Sequence, residues 1–156
     1  PPDVLESAIA SMIQLNDVGR DAASAAGAHA VTDVTGFGLA GHAAEVARAS
    51  QVTIVLRVRE LPELPGALAM CHSGCKTGAS KSNREFLQGE MRIDDAVDLD
   101  RLELAFDPQT SGGLLIAVAA ERAADVVRQV QQAGGAAAAI VGEVLPRQDV
   151  CLDFRA

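Results

Sequence analysis

Between residues 29 and 42 the chain reads His-Ala-Val-Thr-Asp-Val-Thr-Gly-Phe-Gly-Leu-Ala-Gly-His. One carboxylate, Asp33, therefore stands between a short apolar run and a glycine-interrupted approach to a helix. Backbone N–H groups at a helix N-terminus attract anions, and glycine lets the chain come close to them. A nucleotide-bound Mg²⁺ takes only one or two carboxylates, with phosphate oxygens and water completing its shell. Asp33, flanked by the hydroxyls of Thr32 and Thr35, has the chemistry for that contribution, but taken alone it reads first as a helix N-cap, the most common use of Asp at that place. A second motif, Phe-Asp-Pro-Gln-Thr-Ser-Gly-Gly-Leu, occupies residues 106–114. Asp107-Pro108 opens a turn, and Thr110, Ser111, Gly112 and Gly113 supply hydroxyls and a pliable backbone. This is either a phosphate-facing loop or a tight connection into the next strand.

Other patterns compete less well. Gly36, Gly38 and Gly41 satisfy G-x-G-x-x-G, with Glu60 near the place of a ribose-binding acid. The preceding strand is short and ends in Thr32-Asp33, however, which sets an anion where a pyrophosphate would approach. Cys71-His-Ser-Gly-Cys75 has the outline of a metal half-site without a second half, so it reads as a reduced thiol pair. His42 reads as a packed or capping histidine. Lys76, Lys81 and Arg84 read as solvated.

The elements that must position these residues follow from periodicity. Asp3 and Glu6 have capping-box spacing ahead of a helix carrying Leu5, Ala8, Ile9, Met12 and Leu15. A restart at Asn16-Asp17 runs to Gly27, a C-terminal stop. Residues 28–32 are expected as a buried strand, 39–50 as a helix with Leu39, Ala43, Val46 and Ala47 on one face, and 52–58 as a strand. Pro62 or Pro65 opens a helix through 67–70. From Cys71 to about Arg101 no periodicity persists, and a long functional or mobile loop is expected. Residues 114–119 read as a strand, 120–133 as a helix with Ala123, Val126, Val127 and Val130 inward, and 138–144 as a strand ended by Pro146. Residues 150–154 add a short edge. Helices alternating with strands imply a sheet covered by helices.

At 156 residues the chain has the length of one domain. Its apolar content is largely alanine, without Trp or Tyr, which suits helices lying close on a sheet. A net charge of −8 with no dense basic cluster argues against nucleic acid as a partner. The apolar runs are too short to span a bilayer, and no export signal opens the chain. Three cysteines, an odd number, point to a reduced cytoplasmic protein. The start at Pro1-Pro2 is expected of a segment of something longer.

The residues 32–39, Gly41-His42 and the stretch 107–115 closely resemble the carboxy-terminal half of the selenophosphate synthetase (selenide, water dikinase) family. Residues 78–83, Gly-Ala-Ser-Lys-Ser-Asn, resemble that family's glycine- and Asn-containing loop. The likeness runs over essentially the whole chain in the same order. Ala40 stands where leucine is expected, and Ser82 where arginine is expected, which weakens a phosphate contact from that loop.

The resemblance implies an α+β fold, helices packed on a mixed β-sheet, as in the carboxy-terminal domain of the aminoimidazole ribonucleotide synthetase-like superfamily. It implies that residues 1–156 are that single domain, with an amino-terminal ATP-binding and catalytic domain supplied elsewhere. The reaction it implies converts ATP, selenide and water to selenophosphate, AMP and phosphate, within a homodimer of the longer protein. Asp33 matches the position of a Mg²⁺ ligand. Thr32, Thr35, Gly36, Asp107, Thr110, Ser111, Gly112 and Gly113 are the expected nucleotide-binding residues. No catalytic residue falls in this stretch, so the chain alone is expected to be inert. A related domain with another phosphoryl acceptor, and a non-catalytic nucleotide- or metal-binding module, are the alternatives.

Overall fold

The computed structural model describes residues 2–135 and 137–156. Among the described residues seven helices and six strands follow in the order α1 (Pro2–Ile13), α2 (Asp17–Ala26), β1 (Ala30–Asp33), α3 (Gly38–Ser50), β2 (Val52–Arg57), α4 (Ala67–His72), α5 (Gly78–Phe86), β3 (Met91–Ile93), α6 (Leu99–Glu103), β4 (Leu114–Ala117), α7 (Ala120–Gln132), β5 (Gly142–Pro146) and β6 (Leu152–Arg155). A 3-10 turn at Val58–Glu60 closes β2. The strands form two sheets. One is the antiparallel pair β1–β4, and the other is a mixed sheet in the order β3-β6-β2-β5. Within the latter β2 runs parallel to β6 and antiparallel to β5, and β3 runs parallel to β6. The α+β fold with a mixed sheet is as expected, with a second ladder added.

The core explains the alanine-rich composition. Ala40, Ala43, Ala44 and Ala47 of α3 are fully buried against Leu56, Leu152 and Phe154 of the four-stranded sheet. Methyl-sized side chains let the helix backbone approach the sheet closely without voids. Ala105 and Phe106 join the same core, and the Phe106 ring meets Phe154 at 5.8 Å between centroids. The second motif is thereby anchored before it emerges at Asp107. α2 packs on α7 and β4 and stops at Gly27, whose φ of 66° is left-handed.

Several expectations are corrected. The segment from Cys71 to Arg101 is not a long loop: it contains all of α5 and β3 and the start of α6. Its periodicity is hidden because the buried residue of α5 is Ser80, a polar side chain spent on hydrogen bonds. Asp3 lies within the first turn of α1 and does not precede it. The strand expected at 28–32 is shifted to Ala30–Asp33 and is half open to solvent. The strand expected from 138 begins at Gly142 and includes Pro146, which is tolerated because β5 is an edge strand.

Residues 150–154 do not make an edge. Strand β6 lies between β3 and β2, and its Asp153 is 3% exposed. Only Val126 of the expected inward set on α7 is buried.

The charged side chain inside β6 is tolerated because Arg92 clasps it bidentately at 3.1 and 2.7 Å and Arg155 adds a further pair of bonds. These hydrogen bonds, Arg92's first, hold the Asp153 carboxyl below the usual aspartate range against the opposing effect of burial. A carboxyl depressed in the folded state contributes stability above its unfolded pKa and loses it as pH falls through the folded value. Asp153→Asn is therefore expected to lower stability at pH 7. The gap to the parent should narrow as pH falls below the ordinary carboxylate range, as read by urea unfolding across a pH series. A gap constant with pH would contradict this.

Candidate functional site

The two motifs, some seventy residues apart in sequence, are joined by the ladder between β1 and β4, which pairs Asp33 with Leu114. Beyond its mouth the pairing continues irregularly. The Val34 N–H donates to the Gly113 carbonyl at 2.9 Å, and the Gly112 N–H donates to the Val34 carbonyl at 3.0 Å. The Gln109 N–H donates to the Thr35 carbonyl at 3.0 Å, and the Ala40 N–H to the Ala105 carbonyl at 2.8 Å. Residues 32–42 and 105–114 thus form one continuous piece of backbone structure.

The glycines at 38 and 41 serve close packing, whereas a Cβ at Gly36 would meet nothing within 4 Å. Gly38 has φ +67°, and a Cβ there would meet the backbone of residues 105–107 at 2.8–2.9 Å. A Cβ at Gly41 would fall 2.5 Å from the Phe37 side chain. Helix α3 takes Phe37 as its N-cap, so Asp33, four residues earlier, does not cap it.

Helix α5 locks the arrangement. Asn83 donates through Nδ2 to the Gly36 carbonyl and to the Phe106 carbonyl, both at 3.0 Å. One amide group thus spends its donors on both motifs. Ser80 donates to the Asp107 carboxylate at 3.4 Å, and Thr77 caps the helix by accepting from the Ser80 N–H. From the other side, Asn16 donates to the Gly112 carbonyl at 2.9 Å.

The expected site residues stand as follows. Asp33 is exposed, and its carboxylate makes no hydrogen bond or ion pair among the described residues. The Thr32 hydroxyl donates to the Asp33 carbonyl at 3.2 Å. Thr35 lies 3.0 Å from His42 through Oγ1 and Nε2, and His42 Nδ1 lies 3.2 Å from a Glu45 carboxylate oxygen. His42 is thus the packed histidine expected, 8% exposed. Gly36, Gly112 and Gly113 hold the backbone bonds described above, Thr110 is exposed, and Ser111 is half-buried. Asp107 lies on the surface of the residue chain, yet desolvation of its carboxyl pushes its pKa above the ordinary aspartate value despite the Ser80 bond.

Arg84 is not solvated as expected. It pairs with Glu103 and stacks over the Phe106 ring at 5.3 Å. Lys81 and Lys76 are only loosely paired, with Glu85 and Asp100. All three cysteines are free thiols, two of them buried. Burial raises the Cys71 thiol pKa, so it is no poised nucleophile. Among the described residues no cluster of three or more His, Cys, Asp or Glu side chains could hold a metal ion. No helix among them is long and apolar enough to cross a membrane.

Sequence reasoning passed over the roles of Asn16, Ser80, Asn83 and Glu45. Three of these had a readable signal: Ser80 and Asn83 are spaced i, i+3, as Glu45 is from His42, so each pair shares a helix face. Asn83→Ala removes both donors to carbonyls of the motif loops, and the expected loss is about 1–3 kcal/mol in chemical unfolding. Gly38→Ala, strained at positive φ and clashing with backbone, should cost more than about 1 kcal/mol. Either variant at parental stability would contradict the packing described. Asp107→Asn relieves a desolvated charge, so it should raise Tm at pH 7. The rise should vanish at acid pH, where the parental carboxyl is protonated. A lowered Tm at pH 7 would show instead that the ionised form is needed by the fold.

Comparison with known proteins places this geometry in a family. The profile of "AIR synthase related protein, C-terminal domain" matches residues 6–153. The chain is 46% identical over 143 residues to a selenide, water dikinase of Rhizobium meliloti strain 1021, covering 91% of this chain and 41% of that protein. It is 44% identical over 126 residues to a selenide, water dikinase of Bdellovibrio bacteriovorus, covering 81% and 35%. It is 41% identical over 145 residues to one of Desulfitobacterium hafniense, covering 93% and 42%. The chain therefore spans about two fifths or less of the length of these curated relatives. A match over nearly its whole length, with both motifs inside it, means that the chain belongs to the AIR synthase related protein C-terminal domain family.

Proposed function

We propose that the chain is the carboxy-terminal domain of a selenophosphate synthetase, a cytoplasmic enzyme that converts ATP, selenide and water to selenophosphate, AMP and phosphate. The observation that carries this reading is the union of the two family-like motifs into a single backbone unit, together with the identity to proteins named selenide, water dikinase. An amino-terminal domain of the same protein supplies the catalytic groups and most of the ATP site, and the whole acts as a homodimer. Helix α1 is consistent with that partner: it has no buried residue, and Leu5, Ile9, Met12 and Ile13 are exposed. The acidic chain is not designed for nucleic acid.

In this reading Asp33 is a Mg²⁺ ligand. The donor set fits a partial contribution: one exposed carboxylate, unpaired among the described residues, lies at the end of a strand fixed on its partner. Mg²⁺ needs no more than one or two such groups beside phosphate oxygens and water. When bound, the ion neutralises phosphate charge during transfer. The chain's own part is positional. β1 holds Asp33, and Asn83 keeps the 105–114 loop in register beside it. Thr32, Thr35, Gly36, Asp107, Thr110, Ser111, Gly112 and Gly113 border the nucleotide.

The test uses the longer chain rebuilt from the coding sequence upstream of Pro1, followed by phosphorus NMR with MgATP and anaerobic selenide. Selenophosphate and AMP are expected from the parent, with loss of at least about 100-fold in Asp33→Asn if one transition-state charge partner is removed. The 156-residue chain alone should form no AMP. Absence of any selenide-dependent product from a folded, ATP-binding longer chain would move the assignment to another phosphoryl acceptor.

A further inference from the structure

Gly112 and Gly113 both lie opposite Val34. The Gly112 N–H donates to the Val34 carbonyl at 3.0 Å, and the Gly113 carbonyl accepts from the Val34 N–H at 2.9 Å. Two residues facing one make a β-bulge, which bends its strand and re-aims the side chains beside it. This one stands just before Leu114, the partner of Asp33, and just after Thr110 and Ser111. Gly112 leaves no room for a side chain, since a Cβ there would run into the Val34 carbonyl oxygen. The Gly112 carbonyl lies outside the ladder, and two adjacent glycines offer little resistance to rotation of the peptide that carries it.

That carbonyl accepts from Asn16 Nδ2 at 2.9 Å, across 96 residues of sequence. Asn16 is half-buried, whereas residues 12–15 and Asp17 around it are exposed. It holds the N-cap position of α2, where an asparagine side chain ordinarily accepts from N–H groups of the first turn. It makes no such bond, and its backbone, at φ −86° and ψ 16°, lies outside the extended region typical of N-caps. The backbone is itself held. The Asn16 carbonyl accepts from the Arg20 N–H at 2.9 Å, and α2 lies so close to β4 that a Cβ at Gly19 would fall 3.2 Å from the Leu114 side chain. The usual local use of this residue is thus given up for one long-range donor. Only the amide nitrogen can serve, because the amide oxygen has nothing to donate to a carbonyl.

We propose that Asn16 is a positioning residue whose amide latches the Gly112 carbonyl, holds the bulge, and so keeps Thr110 and Ser111 set for the phosphate groups of the nucleotide. The nucleotide comes from the proposed function, whereas the latch stands on the geometry of this chain. Asn16 acts through Gly112 and not by touching the ligand. Without the latch the two glycines relax toward the regular ladder, in which Gly113 replaces Gly112 as donor to Val34, and the turn at 110–111 moves with them.

The latch is tested on the 156-residue chain by amide hydrogen exchange in two variants. Asn16→Ser keeps a residue favoured at helix starts but is too short to reach Gly112, and Asn16→Asp is an isostere that cannot donate when ionised. The Ile54 amide, bonded to the Cys151 carbonyl in the four-stranded sheet, reports the fold as a whole. In both variants exchange at Gly112 should quicken by about three- to tenfold more than at Ile54, the worth of one neutral hydrogen bond. Exchange at Gly112 that is unchanged, or that quickens only in step with Ile54, would overturn the latch.

In the longer chain the same variants should raise KM for ATP by about three- to tenfold with kcat nearly parental, and weaken MgATP binding in calorimetry to the same extent. An Asn16 that only supported the fold would lower the active fraction, and with it kcat, at an unchanged KM. That result, or a parental KM in both variants, would overturn the positioning role. Failure of the longer chain to use selenide would refute the functional reading alone, because neither amide exchange nor MgATP binding depends on it.

Discussion

Everything in this structure that resembles a site depends on the antiparallel pairing of β1 with β4 and on the irregular hydrogen bonds that extend it past Asp33. Either strand alone is four residues long, too short to hold a loop in a defined place. Paired, they bring two motifs from opposite halves of the chain into mutual register. The Val34 N–H and carbonyl, which a loop would leave to water, are spent on the Gly113 carbonyl and the Gly112 N–H, and the Thr35 carbonyl accepts from the Gln109 N–H. Position and rigidity at the candidate site are therefore largely properties of the backbone, and the Asp33 carboxylate at its surface has no partner among the described residues.

The four-stranded sheet supplies the foundation. Its inner face takes the alanine face of α3, and the same core takes Ala105 and Phe106, so each motif is tethered at one end to the most tightly packed part of the molecule. Gly38 is the point where these tethers cross, and only a residue without Cβ allows it. α5 closes the arrangement from outside with polar groups. A small number of hydrogen bonds from Ser80 and Asn83 replaces the apolar contacts by which a helix usually docks. Such a joint is directional, and it fixes orientation more sharply than hydrophobic contact does.

That substitution also explains what was legible in the sequence. Helices α2, α3 and α7 and strand β2 announce themselves through apolar periodicity and terminal glycines, and the structure has them within a residue or two of the reading. The two motifs were legible as candidates because carboxylates, hydroxyls and glycines cluster there. α5 was not, because its inward residues are polar and carry no hydrophobic period. β6 was misread as an edge because Asp153 looks like a solvated residue, and only Arg92 and Arg155, one of them sixty-one residues away in sequence, make it buriable. The start of β5 was misplaced because residues 138–141 are as apolar as a strand yet lie outside it. Pairing between distant residues decided each case, and no local pattern encodes it.

The central claim is that residues 32–42 and 105–114 are one structural unit. Native-state amide hydrogen exchange of the 156-residue chain, at increasing low denaturant concentrations, tests this directly. The N–H groups of Val34, Ala40, Gln109 and Gly112 each donate from one motif to the other. They are expected to open together, with one free energy and one denaturant dependence. Protection of Val34 and Gly112 with free exchange of Ala40 and Gln109, or four unrelated opening energies, would contradict the account.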